Sequence, residues 1–216
     1  MRGLRLAIRA SAVTLFCFIS AANAAEICSS PVGHIASVQG AVTIHHEPRR
    51  PRVAQLDDRL CPGDRIDVGD RSRAAIVLLD DGVIRIDQNS TLMLARIEPD
   101  EPSLLELVFG QVYFFSRRSR ALDVDTPFVN AAVEGTEFVV GVTADRAQVT
   151  VYEGQVTAAN DRGTLSLGPG QSALARDGAA PIGVLLVRPR DAVQWAVHYP
   201  PILFTAPGRG SGSTGG

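Results

Sequence analysis

From residue 36 onward the apolar residues of this chain fall on alternate positions. Ala36, Val38, Val42 and Ile44 set the pattern, with Gly40 in place of the fifth, and a period of two belongs to a strand with one buried face. The alternation returns at Ala74, Ile76 and Leu78, at Ile84 and Ile86, at Leu92 and Leu94, and at Leu105, Leu107 and Phe109. It continues through Val112 and Phe114, Leu122 and Val124, Phe138, Val140 and Val142, Val149 and Val151, and Leu165 and Leu167. Turn-forming residues separate the runs: Asp80-Asp81-Gly82, Glu98-Pro99-Asp100, Thr126-Pro127, Ala144-Asp145-Arg146, Asn160-Asp161-Arg162-Gly163 and Gly168-Pro169-Gly170. About a dozen short strands at this spacing predict an all-β domain, either a compact sandwich or barrel or a short solenoid.

One local pattern repeats. Apolar-x-x-Gly-Gln-Val occurs as Leu107 to Val112 around Gly110 and as Val151 to Val156 around Gly154, with looser copies at Gln39-Gly40-Ala41-Val42 and Glu134-Gly135-Thr136-Glu137-Phe138. A glycine between two strand segments permits a bend or a positive φ. The glycines are unevenly spaced, which favours a closed β domain over a regular solenoid. One short helix is expected near the C-terminus, with Asp191 as its cap, Ala192 to Tyr199 as its body and Pro200-Pro201 as its stop.

Composition narrows the function. The chain has 216 residues, 45% of them hydrophobic, enough for a sizeable core. Its net charge of −2 lacks the basic excess that binding a phosphate backbone requires, so no nucleic-acid partner is expected. All 21 basic residues are Arg, which removes lysine Schiff-base chemistry and the lysine of the phosphate-binding loop.

The first residues read as an export signal. Arg2, Arg5 and Arg9 precede the apolar stretch Ala10 to Ser20, and Ala22-Asn23-Ala24 is a small-x-small cleavage pattern, so residues 1–24 are expected to be removed. The apolar stretch is too short for a membrane-spanning helix, and no later segment is long enough. Losing three Arg takes the basic count from 21 to 18 against 23 acidic residues, a net charge of −5. Export leaves two cysteines, Cys28 and Cys61, which are expected to pair in an oxidising compartment. The remaining chain divides into an all-β domain over 25–187, a helix and apolar segment over 188–204, and a disordered Gly/Ser-rich tail over 205–216.

Several motifs occur in a fixed order: Leu60-x-x-Gly63-Asp64-x-Ile66, Ser72-Arg73-Ala74-x-Ile76-x-Leu78 with Asp81-Gly82, Ile84-x-Ile86-x-x-x-Ser90-x-Leu92, and Leu107-x-x-Gly110-x-Val112. Val124-x-Thr126-Pro127, Val133-x-Gly135-Thr136-x-Phe138-x-Val140 and Val151-x-Glu153-Gly154-x-Val156 complete the series. Together they resemble the FecR domain family over roughly residues 33–176. The segment from Asp191 to Pro201 resembles the junction at which a tetratricopeptide array follows in some relatives. The resemblance implies a periplasmic β module used for contact or sensing. Signalling members of the family place an anti-sigma segment and one membrane span ahead of this domain. Only nine residues precede the apolar leader here, so direct control of a sigma factor is not expected.

Catalytic equipment is sparse. Adjacent His45 and His46 in a strand point to opposite faces, and no metal, cofactor or catalytic residue is expected. Gly168-Pro169-Gly170-Gln171-Ser172-Ala173 fits a dinucleotide fingerprint formally, but no helix follows it. Carboxylates cluster at Asp57-Asp58, Asp80-Asp81, Asp123 with Asp125, and Glu134 with Glu137; an envelope hydrolase would need two of them opposed across a cleft. The triples Arg49-Arg50-x-Arg52 and Arg117-Arg118-x-Arg120 could grip an anionic glycan, the alternative to a protein partner. The expected function is non-catalytic contact, sensing or scaffolding with another envelope protein, docking through Trp195, Tyr199, Leu203 and Phe204.

Overall fold

The computed structural model describes residues 28, 30–79, 81–97, 102–184 and 196. They form fourteen strands: β1 (Gly33–Gln39), β2 (Val42–His45), β3 (Arg52–Val53), β4 (Arg59–Leu60), β5 (Arg65–Val68), β6 (Arg73–Leu78) and β7 (Val83–Ile86), then β8 (Ser90–Arg96), β9 (Ser103–Asp125), β10 (Asn130–Val142), β11 (Arg146–Asn160), β12 (Gly163–Leu167), β13 (Ser172–Arg176) and β14 (Ile182–Val184). All pairings are antiparallel. They run β2–β5–β8–β9–β7–β6–β1 and return to β2 through Gly40, which closes a small barrel. From β9 the sheet continues outward through β10, β11, β13 and β14, with β12 on the far half of β11. The all-β reading is correct, and closure leaves fewer open edges than a flat sheet would.

Closure depends on strands that change partner part-way along. The N-terminal part of β9 pairs with β8 up to Phe109, and from Val112 the same strand pairs with β7. β11 pairs with β13 over Arg146–Thr150 and with β12 over Val156–Asn160. Each switch sits at a repeated glycine with positive φ: Gly40 (+74°), Gly110 (+93°) and Gly154 (+94°). In an ordinary strand two residues five apart face opposite sides. Here Leu107 and Val112 are both in the core, as are Val151 and Val156, because the glycine bulge between them inserts an extra residue. β10 does the same through a register shift around Thr136, and Val133 and Phe138 are both buried.

These bulges explain where simple alternation misleads. Alternation places Phe109 inside, but it is 45% exposed, because the register with β8 shifts between Leu107 and Phe109, just ahead of Gly110. In β1 a register shift between Ile35 and Ser37 puts Ile35 fully inside and leaves Ala36 and Val38 only half-buried. The core is otherwise one continuous cluster spanning barrel and outer strands, with Phe114 and Phe138 in ring contact at 5.1 Å.

Two serines close the corners. The Ser72 hydroxyl accepts from Ala41 N–H at 2.8 Å and donates to Asp70 O at 2.9 Å. The Ser90 hydroxyl accepts from Gln111 N–H at 3.0 Å and donates to Gln88 O at 3.3 Å. The residue before each serine, Arg71 or Asn89, has positive φ, so Asp70-Arg71-Ser72 and Gln88-Asn89-Ser90 are the same device used twice. Each serine occupies the space beside a bulge glycine that a side chain would need. A Cβ on Gly110 would lie 2.4 Å from the Ser90 Cα.

At the N-terminal end a disulfide joins Cys28 to Cys61, with 33 residues of sequence separation. Cys61 is fully buried, and its partner ties the start of the described chain to the turn ahead of β5. Among the described residues no helix is long and apolar enough to cross a membrane. Of the helix expected over Ala192–Tyr199, only Ala196 lies among the described residues, and it is helical.

Two stability predictions come from this architecture. Gly110→Ala meets backbone as well as an unfavourable φ and is expected to cost more than about 2 kcal/mol. Gly178→Ala, also at positive φ but with open space around it, is expected to cost only about 1 kcal/mol; urea unfolding of the two variants checks the contrast. Cys28→Ser is expected to lower unfolding free energy by roughly 2–4 kcal/mol while retaining the β circular dichroism spectrum.

Candidate interaction surface

The motif residues mostly build turns and bulges. Gly63 (φ +83°) and Asp64 close the turn before β5, where the Asp64 carboxylate accepts from Cys61 N–H at 2.8 Å. Asp81 (φ +67°) and Gly82 turn β6 into β7, with Leu78 N–H donating to Gly82 O at 2.8 Å. The Thr126 hydroxyl donates to Val129 O and accepts from Val129 N–H, which fixes the turn around Pro127. Gly135 and Thr136 mark the register shift of β10, and Gly154 the bulge of β11. The expected docking residues Trp195, Tyr199, Leu203 and Phe204 lie outside the described residues.

What the structure adds is the outer face of β9, β10 and β11, opposite the core. One row crosses five strands in register: Arg85, Tyr113, Val139, Thr150 and Ser172. The Arg85 guanidinium stands over the Tyr113 ring at 5.9 Å, and the Tyr113 hydroxyl donates to Glu137 Oε1 at 2.9 Å. Thr150 and Ser172 are joined through their hydroxyls at 3.0 Å, both almost fully buried. Upon this row sits Ala196, 2% exposed and packed with Val139, Tyr113 and Tyr152. Its carbonyl accepts a hydrogen bond from Arg85 Nη1. The face therefore receives main chain by both apolar contact and a directed donor.

Simple alternation puts Tyr113 and Val139 on the face opposite the core and gives no reason for that face to be covered. The missed signal was the unbroken apolar run Phe138-Val139-Val140, since consecutive apolar residues in a strand mark a sheet covered on both faces. Burial is the largest cause lifting both tyrosines above the ordinary phenol range. It raises Tyr113, aided by the hydrogen bond to Glu137 and that carboxylate's charge, with Arg85 opposing. Tyr152 is pushed up to about 12 by burial and then by the Glu137 charge.

The next row, Gln111, Gly141 and Gln148, borders a groove of about 400 Å³. Gly141 forms part of its lining, Phe109 and Arg146 also line it, and Val139 is shared with the Ala196 contact. Its lining mixes the amides of Gln88, Asn89, Gln111 and Gln148 and the hydroxyls of Thr143 and Thr150 with apolar Phe109, Val139 and Val142, a combination that suits an extended peptide.

Among the described residues the candidate carboxylates Asp58, Asp123, Asp125 and Glu134 serve turns, ion pairs or a sheet face. Asp58 accepts from Gln55 N–H at 2.8 Å and pairs with Arg52, while Asp125 takes the Asn130 amide. Asp123 and Glu134 come together as diagonal neighbours in a shallow trench, but side by side on one sheet face rather than opposed across a cleft. Gly168 to Gln171 form a strand-to-strand turn into β13, with Gly168 N–H donating to Gln171 Oε1 at 2.6 Å. Arg52 is taken up by Asp58 and Arg59 O, and the side chains of Arg117, Arg118 and Arg120 lie outside the described residues. His45 pairs with Asp67 at 2.8 Å and His46 with Asp64 at 2.5 Å, on separate carboxylates, as opposite strand faces require. Among the described residues His46, Asp64 and Cys61 bring potential metal donors within 4.8 Å of one another, although Cys61 is bridged.

Residues 64–157, spanning the turn before β5 to the far half of β11, match the model of the family described as FecR protein. This stretch is a FecR domain. Two crystal structures of a candidate anti-sigma factor from Parabacteroides distasonis ATCC 8503, at 1.65 and 2.50 Å resolution, share its fold with a TM-score of 0.50. Identity to them is 18%, and the alignment covers 56% of this chain and 59% of those chains. This chain therefore spans about three-fifths of the length of those structures. No curated protein matches the chain. The FecR match covers the barrel from β5 onward and most of the outer strands β10 and β11.

The tyrosine environments predict an alkaline limit. A phenol whose folded value lies above its unfolded value of 10.0 contributes stability in full below pH 10 and loses it as pH climbs towards the folded value. Unfolding free energy is therefore expected to fall between pH 10 and pH 12, and the Tyr113→Phe, Tyr152→Phe double variant to show a shallower decline in denaturant titrations across that window.

Proposed function

We propose that this protein is an exported, non-catalytic FecR-domain module that contacts another protein of the bacterial envelope, in sensing or scaffolding, through the outer face of β9, β10 and β11. The observation that carries this reading is the burial of the chain's own Ala196 on that face with its carbonyl on Arg85, which marks a surface suited to receiving main chain. The groove beside it extends the same surface with amide donors and acceptors. The FecR match supports a regulatory module, and the Cys28–Cys61 bridge is compatible with an oxidising, periplasmic location. The carboxylate arrangement favours no hydrolase. The one described arginine triple has Arg52 committed internally, which leaves less of a grip for anionic glycan.

Photocrosslinking in cells tests this reading. A crosslinker placed at Gln111 or at Gln148 is expected to capture the same discrete envelope protein, whereas one at Thr164 in β12, away from the groove, captures none. Capture from Thr164 alone, or captures from Gln111 and Gln148 that share no component, would reject the outer face as the contact surface.

A further inference from the structure

The corner that holds the disulfide has more donors than a bridge requires. His46 follows β2, and Cys61 and Asp64 flank the turn ahead of β5, so the β2–β5 pairing brings the three side chains together. One donor atom from each lies within 4.8 Å of the others, and His46 Nδ1 is 2.5 Å from Asp64 Oδ1. Asp64 is 1% exposed and Cys61 fully buried, while His46 is 27% exposed and open to an entering ion. Cys28 Sγ is one S–S bond away from Cys61 Sγ and is the nearest available fourth donor, free to turn towards the other three once that bond is broken.

We propose that, once its disulfide is reduced, this corner binds one Zn²⁺ through Cys28 Sγ, Cys61 Sγ, His46 Nδ1 and Asp64 Oδ1. Two sulfurs, one imidazole nitrogen and one carboxylate oxygen form a tetrahedral zinc donor set. The other Asp64 oxygen keeps its hydrogen bond from Cys61 N–H, which orients the carboxylate as second-layer contacts do in zinc sites. While the bridge is closed neither sulfur can act as a thiolate, so the oxidised protein has no such site.

The opening step is thiol–disulfide exchange with a dithiol reductant. One reductant thiolate attacks a bridge sulfur, the Cys28–Cys61 bond breaks, and a mixed disulfide forms with loss of the other cysteine as thiolate. The second reductant thiol then attacks the reductant's own sulfur in the mixed disulfide and expels the remaining protein cysteine as thiolate. Two electrons pass to Cys28 and Cys61, and the reductant leaves as its own disulfide. Zinc then takes the two sulfurs as thiolates and releases to water the protons they carried, along with any proton shared by His46 and Asp64. The metal holds residue 28 to the β5 turn when the covalent tie is gone, independently of any contact made by the outer sheet face.

The test uses purified protein reduced with a dithiol that is then removed, and Co²⁺ as a spectroscopic probe. The reduced protein is expected to take up one equivalent with a thiolate-to-cobalt charge-transfer band and the intense visible bands of tetrahedral cobalt, both abolished by excess Zn²⁺. The unreduced protein is expected to show neither. His46→Gln, at a partly exposed position, is expected to weaken binding by more than about tenfold. Thermal melting gives a readout that does not depend on colour: Zn²⁺ should raise the midpoint of the reduced wild type and leave that of reduced His46→Gln nearly unchanged. No thiolate band in the reduced protein, or equal affinity and equal stabilisation in His46→Gln, would overturn the proposal.

Discussion

A glycine bulge that turns a strand's inner face back towards the core is the constraint from which the rest of this structure derives. Without it, β9 could serve β8 or β7 but not both, since its side chains would change sides after Leu107. With Gly110 at φ +93°, Leu107 and Val112 both face inward and one strand pairs with two neighbours. Gly40 provides the same continuity between β1 and β2, and Gly154 lets β11 divide its length between β13 and β12. The extra residue leaves backbone donors without ladder partners, and in two of the three corners a buried serine accepts the N–H. Shape and hydrogen-bond satisfaction are thus solved by the same few residues.

That architecture also positions the contact surface. Because bulges return the apolar residues of β9, β10 and β11 to the inner face, alternate residues such as Tyr113, Val139 and Thr150 form a row on the outside. Tyr113, Val139 and Thr150 fall in register there because Val139 pairs with both neighbours. Arg85 joins the row from β7, and its guanidinium meets the Ala196 carbonyl. A rigid, paired sheet presents these groups without the ordering cost a loop would incur on binding.

Much of the fold was legible in the residues. Period-two alternation identified the strands, and the repeated Gly-Gln-Val unit marked the bends. What alternation could not supply was parity across a bulge: Phe109 reads as a core residue until the register shift after Leu107 is known, and Ala36 until the shift after Ile35 is known. Ser72 and Ser90 were visible as motif residues, yet their partners, Ala41 and Gln111, are 31 and 21 residues away in sequence, so their role needed three dimensions. The outer platform was less legible still. Tyr113 and Glu137 are unremarkable polar positions in their own strands and meet only through the β9–β10 register, and the only local hint was three apolar residues in succession around Val139.

Amide hydrogen exchange at Ala41 and Gln111 addresses the bulge-and-serine account most directly. Both N–H groups donate to a serine hydroxyl at a barrel corner. If those corners close the barrel, the two amides exchange as slowly as those in the central strands β6 and β9. Exchange as fast as that of surface-loop amides would show that the corners open independently, and would contradict a fold built on glycine bulges sealed by serine.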